Sequence, residues 1–300
     1  MLRQLFLIVL CLSATPAMAE DHRFLGLGRL FTNDYIGDGR DRWQSGSYVF
    51  SLMAGTQAAP GARQGFFSLR EYRLRSAIIA SNGKGPAPGD RPYAGTLSFG
   101  VHSHFGSGST QARVGADLVL VGPQTNVSRF QAQSHEFLNM RPVRFTERQL
   151  PNDLWLGFSG EVAEWMPLAP GAVLRPFGEV QSGPEDVIRV GADVILGGDM
   201  SGDLLARDVT TGHPYVSISR AAPGLTVVVG GDIARVADSR FLTGGDFADA
   251  LPQRERLRAG VHWRGDNDAS LFYGLTYLGP EFEGQSEGQV TGSLRLTFDF

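Results

Sequence analysis

From Gln289 to Phe300 the chain alternates without a break. Val290, Gly292, Leu294, Leu296, Phe298 and Phe300 fall on one side, and Thr291, Ser293, Arg295, Thr297 and Asp299 on the other. Successive strand residues point to opposite faces, so the segment predicts a strand with one apolar and one polar face. Two architectures use such a strand. A β-sandwich turns the apolar face to a core and the polar face to water, whereas a membrane barrel turns the apolar face to lipid and the polar face to its lumen. An alternation that runs to a terminal aromatic favours the barrel of a bacterial outer membrane.

Other segments repeat the pattern. Ile188, Val190, Ala192, Val194 and Leu196 alternate with Arg189, Gly191, Asp193 and small residues, and Leu257, Ala259, Val261 and Trp263 alternate with Arg256, Arg258, Gly260, His262 and Arg264. Taken in order, such runs predict strands at 24–33, 44–55, 65–80, 91–105, 111–122, 155–167, 173–183, 187–197, 225–236, 255–265, 269–278 and 289–300. That is about twelve, an even number as single-chain bacterial barrels require. A further run, Tyr215 to Ser219, would leave the termini on opposite sides if counted, and is assigned to an outer loop. The expected fold is all-β: a transmembrane antiparallel β-barrel of about twelve strands with a short helix in an outer loop.

The ends of the chain and its composition agree. Residues 1–19, with one Arg, an apolar Leu5–Leu12 core and Ala17-Met18-Ala19, read as a secretory signal peptide, leaving 20–300 for the barrel. The single cysteine, Cys11, lies inside it, so a thiol or disulfide mechanism is not expected of the mature chain. A net charge of −4 gives no reason to expect a nucleic-acid partner. No later stretch approaches the roughly 20 consecutive apolar residues of a membrane helix.

One long interruption stands out, from Val121 to Asp153. Val127, Phe130, Ser134, Phe137 and Leu138 recur at helical spacing, Asn126 is placed to cap the start, and Pro142 stops the run. Gln131 and His135, four apart, then share one face. If the termini are periplasmic, the loops holding Asn33-Asp34, Asp90-Arg91 and His135 meet at the outer rim.

Each of these rim residues also has an ordinary reading. Asn33 and Asp34 could bind a hard cation, orient an imidazole or simply form a turn. Trp43, in the cluster Asp38, Arg40, Asp41, Arg42, Trp43, Gln44, Ser45, suits an aromatic girdle. Arg91 could grip a phosphate or pin its loop. Away from the rim, His102 and His104 share a face toward the periplasmic end, yet two ligands do not define a metal site. His135 could activate water or be structural.

Taken together, Thr32-Asn33-Asp34, Asp41-Arg42-Trp43-Gln44-Ser45, Asp90-Arg91-Pro92-Tyr93-Ala94-Gly95, Val121-Gly122-Pro123 with Gln131 and His135, and Tyr277-Leu278-Gly279-Pro280-Glu281-Phe282 resemble the lipid A deacylase LpxR family of outer-membrane β-barrels. The resemblance implies a carboxylic ester hydrolase that removes the 3'-acyloxyacyl group of lipid A at a site between lumen and outer leaflet, facing the cell surface. It implies His135, Asp34, Asn33, Ser45 and Gln131 as catalytic residues and Ca2+ as cofactor, with Asp34 either orienting the imidazole or helping to hold the ion; Arg91, Trp43 and Tyr93 are read as substrate contacts. It also implies lipopolysaccharide, the membrane and the barrel insertion machinery as partners. The chain departs from the family pattern at Pro88 and Arg141, where lysine and glutamate are expected. Two other readings stay open: an inactive binding or structural barrel of the same family, and a small pore whose lumenal arginines 189, 256, 258, 264 and 295 either line an anion path or pair with Asp193, Asp232 and Asp299.

Overall fold

The computed structural model describes residues 23–297 apart from 57–63, 83–88, 141, 143–147, 199, 221 and 267–268. The signal peptide, the chain's last three residues, Pro88 and Arg141 lie outside the described residues.

The strands are β1 (Arg23–Asn33), β2 (Trp43–Gly55), β3 (Gln64–Ala80), β4 (Ala94–Ser107) and β5 (Thr110–Val121). After helix α1 (Val127–Phe137) come β6 (Asp153–Glu164), β7 (Met166–Ala169), β8 (Ala172–Ser182), β9 (Glu185–Gly197), β10 (Leu204–Arg207) and β11 (Pro214–Ile218). The chain finishes with β12 (Gly224–Ser239), β13 (Gln253–Arg264), β14 (Ser270–Leu278) and β15 (Gln289–Thr297). β6 and β7 are one wall strand interrupted at Trp165, since both pair with β8. With that strand counted once, the wall is a closed antiparallel ring of twelve, sealed where β1 meets β15. Closure leaves no sheet edge, and this decides between barrel and sandwich.

The alternation acts as expected. Phe99 and Val101 of β4, Ile188 and Val190 of β9, and Leu257 and Val261 of β13 project outward and are exposed, while Arg189, Asp193, Arg256 and Arg258 are buried in the lumen. The lumenal charges are paired. Arg258 donates to Asp193 at 2.7 Å and to Asp232 at 2.5 Å, Arg189 donates to Asp232 at 2.6 Å, and Arg256 donates to the same carboxylate at 3.0 Å. Of the two lumenal arrangements open from the sequence, the paired one is what these residues adopt.

The expectation for Tyr215 to Ser219 needs correcting. Residues 214–218 form β11, which pairs with β10 as a hairpin and is buried throughout. It arises from the connection between β9 and β12, at the end where β1 begins and β15 stops, here called the proximal end, and folds into the lumen. The parity rule counts wall strands only, and a hairpin that never joins the wall leaves the count even. Glycines make room for it. A Cβ on Gly26 of β1 would lie 2.4 Å from the Ser217 carbonyl oxygen, and one on Gly28 would lie 2.6 Å from Ser217 Oγ. The hairpin is fastened by Tyr215, whose hydroxyl lies 2.9 Å from Ser51 Oγ, and by Arg207, which donates to Asp193 at 3.0 Å. The two histidines of β4 are also committed to carboxylates: His104 Nε2 is 2.7 Å from Glu71 and His102 Nε2 is 3.3 Å from Asp117.

Candidate functional site

The site lies at the distal end of the barrel, opposite the termini, and on the outside of the wall. In β4, Phe99 and Val101 point outward whereas Thr96 and Ser98 line the lumen, so the same alternation turns Gly95 outward. Val127 of α1 packs on it: a Cβ on Gly95 would stand only 2.8 Å from Val127 Cβ. The helix therefore rests against the outer face of the barrel, where a glycine lets it come close. Its buried residues are Val127, Gln131 and His135, so the amide and imidazole share the face toward the wall. Phe130, Phe137 and Leu138 remain exposed. Asn126 does precede the helix, but with φ 56° and no side-chain cap; Thr125 Oγ1 instead accepts a hydrogen bond from Val127 N at 3.3 Å.

Asp41 is the hub. Ser45 Oγ donates to Asp41 Oδ1 at 3.0 Å, Gln131 Nε2 donates to the same oxygen at 3.3 Å, and His135 Nε2 lies 3.6 Å from Asp41 Oδ2. Tyr93, fully buried, fixes the amide by donating its hydroxyl to Gln131 Oε1 at 2.9 Å. Asn33 supports the opposite side, donating from Nδ2 to the Ser45 carbonyl at 2.9 Å and accepting from Tyr35 N at 2.8 Å. A bulge at Ser45, where the β2–β3 register slips between Gln44 and Gly46, frees that residue from strict alternation.

Asp34 sits beside this cluster in the bend after β1. Its carboxylate accepts from Arg42 N at 2.9 Å, and it is almost completely buried. Burial, with the nearby Asp41 and Asp38 carboxylates adding to it and backbone N–H groups opposing, raises its pKa to about 8. Among the described residues, no three His, Cys, Asp or Glu side chains converge on a metal position. The donor chemistry is nonetheless that of a hard cation: oxygen atoms of Asp34, Asp41 and Ser45, and a carboxyl that no Arg or Lys neutralises in the described structure.

Of the residues expected from sequence, Asn33, Ser45, Tyr93, Gln131 and His135 gather around Asp41, with Asp34 alongside. Arg91 and Trp43 face elsewhere. Arg91 is buried and donates to Glu281 at 2.5 Å, while Asp90 accepts from Asn82 N and Arg91 N, each at 2.8 Å. Trp43, 3 % exposed, lies edge-on to Phe282 in a cluster with Leu242 and Ala248, under the Arg42 guanidinium, and is no part of an outer girdle. The residue that sequence reasoning left out of the site is Asp41. Its spacing to Ser45 is visible in the sequence, but nothing there distinguishes it from Asp38, which binds Arg42 at 3.0 Å.

A closed barrel with an apolar exterior, a charged and filled lumen and a polar cluster under a rim helix defines an integral β-barrel protein of the bacterial outer membrane. No helix among the described residues is long and apolar enough to cross a membrane. The chain belongs to the LpxR family, whose model, outer membrane protein LpxR, matches residues 5–300. Among solved structures, LpxR from Salmonella typhimurium superposes with a TM-score of 0.76 at 16 % identity, covering 92 % of this chain and 100 % of that one. The β domain of the Bordetella autotransporter BrkA gives 0.43 at 12 % identity, over 91 % and 99 %. No curated protein sequence matches the chain.

Proposed function

We propose that this barrel is a lipid A deacylase that hydrolyses the ester holding the 3'-acyloxyacyl chain, at a site facing the cell surface. The observation that carries the proposal is the position of the His135–Asp41 pair, on the lipid-facing side of the wall and beneath a helix. Family membership supports the substrate class. A lipid ester anchored in the outer leaflet would reach such a site sideways, without entering the lumen. The exposed Phe130, Phe137 and Leu138 suit a helix lying in the interfacial zone.

His135 acts as general base. With Nε2 held toward the Asp41 carboxylate, Nδ1 is the nitrogen that takes a proton from water. The resulting hydroxide adds to the ester carbonyl, and collapse of the tetrahedral species expels the sugar oxygen, which recovers the proton from His135. Asp41 positions the imidazole and stabilises its protonated form. Gln131 and Ser45 keep Asp41 in place, and Tyr93 keeps Gln131 in place.

Asp34, Asp41 and Ser45 are the residues that would hold calcium. When bound, the ion supplies positive charge to compensate the buried carboxyl and to polarise an ester carbonyl. Burial and the acidic neighbours Asp41 and Asp38 raise the Asp34 pKa to about 8, so this carboxyl favours a positive charge beside it.

The test uses outer-membrane vesicles carrying the protein, incubated with and without calcium, with lipid A analysed by mass spectrometry. Loss of one 3'-linked acyloxyacyl unit, reduced in rate by about a hundredfold or more in His135→Ala, is the expected result. Lipid A of unchanged mass with the wild-type protein and calcium would overturn the proposal.

A further inference from the structure

Between the tip of the lumenal hairpin and the distal rim lies a cavity of about 160 Å³. Neither His135 nor Asp41 lines it, so it is separate from the site on the outer face. Its walls are rich in arginine, and three of the carboxylates on it are already engaged. Glu179 is shared by Arg189 at 3.4 Å and Arg113 at 3.8 Å. Glu281 is shared by Arg91 at 2.5 Å and Arg254 at 3.7 Å, and Asp117 faces His102 at 3.3 Å.

Arg75 is different. Among the described residues no carboxylate forms an ion pair with it, and its guanidinium donates only to the hairpin hydroxyl Thr210 Oγ1, at 2.7 Å. Its Nε is buried without an acceptor. Arg75 is only partly exposed, and Asp117 and Asp208 act on it at longer range without direct contact; its planar fork of donors stays open to an oxyanion edge. The cavity has the space: a water molecule's share of liquid volume is about 30 Å³, several times less than the volume available. Arg113 adds a second source of donors on the same cavity, since its Nε has no acceptor and its Nη2 reaches Glu161 only at 3.5 Å.

We infer that the lumenal cavity is a binding site for a small tetrahedral oxyanion of the phosphate class, held by Arg75 on the floor made by Thr210. The inference does not depend on the barrel being a hydrolase.

The strand register provides a test that removes no native cation. Ser98 of β4 is the direct cross-strand partner of Arg75 and lines the same cavity. Ser98→Asp therefore sets a carboxylate beside Arg75 and satisfies it internally, whereas Arg75→Gln deletes the charge. Inorganic phosphate is titrated calorimetrically into the full barrel in detergent, with ionic strength held constant by chloride and folding checked by heat-modifiable gel mobility. Saturable binding by the wild type, weakened at least tenfold in both variants, is expected. If Arg75→Gln does not fold, Ser98→Asp alone carries the comparison. A wild type with no saturable heat, or folded Ser98→Asp binding phosphate within twofold of the wild type, overturns the inference.

Discussion

The Asp41 carboxylate stands 3.6 Å from His135 Nε2, joining the first rim loop to the helix of the third. Neither residue belongs to a strand, so their meeting depends on how both loops are docked onto the wall. Asp41→Asn keeps the shape of the side chain and the Ser45 contact but removes the charge that favours a protonated imidazole. His135→Ala should lower deacylation by about 10²–10⁴-fold, the usual contribution of a positioned acid–base group, and Asp41→Asn by about tenfold or more. The expected loss is in kcat, with KM little changed, measured as the rate of acyl-chain release from lipid A vesicles. Full activity in Asp41→Asn would remove it from the mechanism.

Gly95 controls how closely α1 approaches the barrel. Gly95→Val would drive side-chain atoms into Val127, whose Cβ already sits 2.8 Å from the place a Cβ would occupy. The helix must lift, taking Gln131 and His135 away from Asp41. Deacylation should disappear while the thermal transition of the barrel, measured by circular dichroism in detergent, stays near the wild-type value. A variant that is fully active would place the helix elsewhere.

The rim clasp formed by Glu281 has a defined pH response. Burial pushes its pKa up, but Arg91 and Arg254, helped by hydrogen bonds from Gln44 and Arg91, outweigh that and hold it below the ordinary value of 4.5. A carboxyl whose folded pKa lies below its unfolded one contributes in full above the unfolded value and loses that contribution as pH falls through the folded value. Melting temperature should therefore hold from neutral pH down to about the ordinary glutamate range, then drop below it. Glu281→Gln should melt lower at neutral pH, and its difference from the wild type should shrink as the solution becomes more acidic than the ordinary range. A difference that stays constant into strong acid would contradict the pairing.

In the lumen, Asp232 takes hydrogen bonds from three arginines: 189, 256 and 258. Asp232→Asn leaves that cationic group short of one negative charge at a buried position. Removing one partner from a buried charge cluster costs about 3–5 kcal/mol, and urea unfolding followed by tryptophan fluorescence should show a lowered midpoint that, multiplied by the m-value, gives a loss of that order. An unchanged midpoint would mean that the cluster is hydrated.

The wall was legible because a strand in a barrel obeys a local rule. Alternation places each wall strand to within a few residues, and Gln131 and His135 share a buried face because residues four apart on a helix must. Long-range packing was not legible. The segment Pro214–Ile218 has the composition of a wall strand, and only its partners, β10 and the glycines of β1, show that it lies inside. Trp43 looks like a belt residue until Phe282, far away in the chain, covers it. Asp41 and Asp38 are equivalent as letters; what separates them is that Arg42 folds toward one and His135 reaches the other.

The hairpin of β10 and β11 has a consequence for the cell envelope. A cylinder wide enough for twelve strands would, if hollow, be a leak for nutrients, dyes and antibiotics alike. With the hairpin packed on Ser51 and the glycines of β1, and arginines locked to carboxylates around it, the cylinder is a plugged post with a pocket only on the distal side of the hairpin. Such a post can be numerous without weakening the sieving barrier in which it stands.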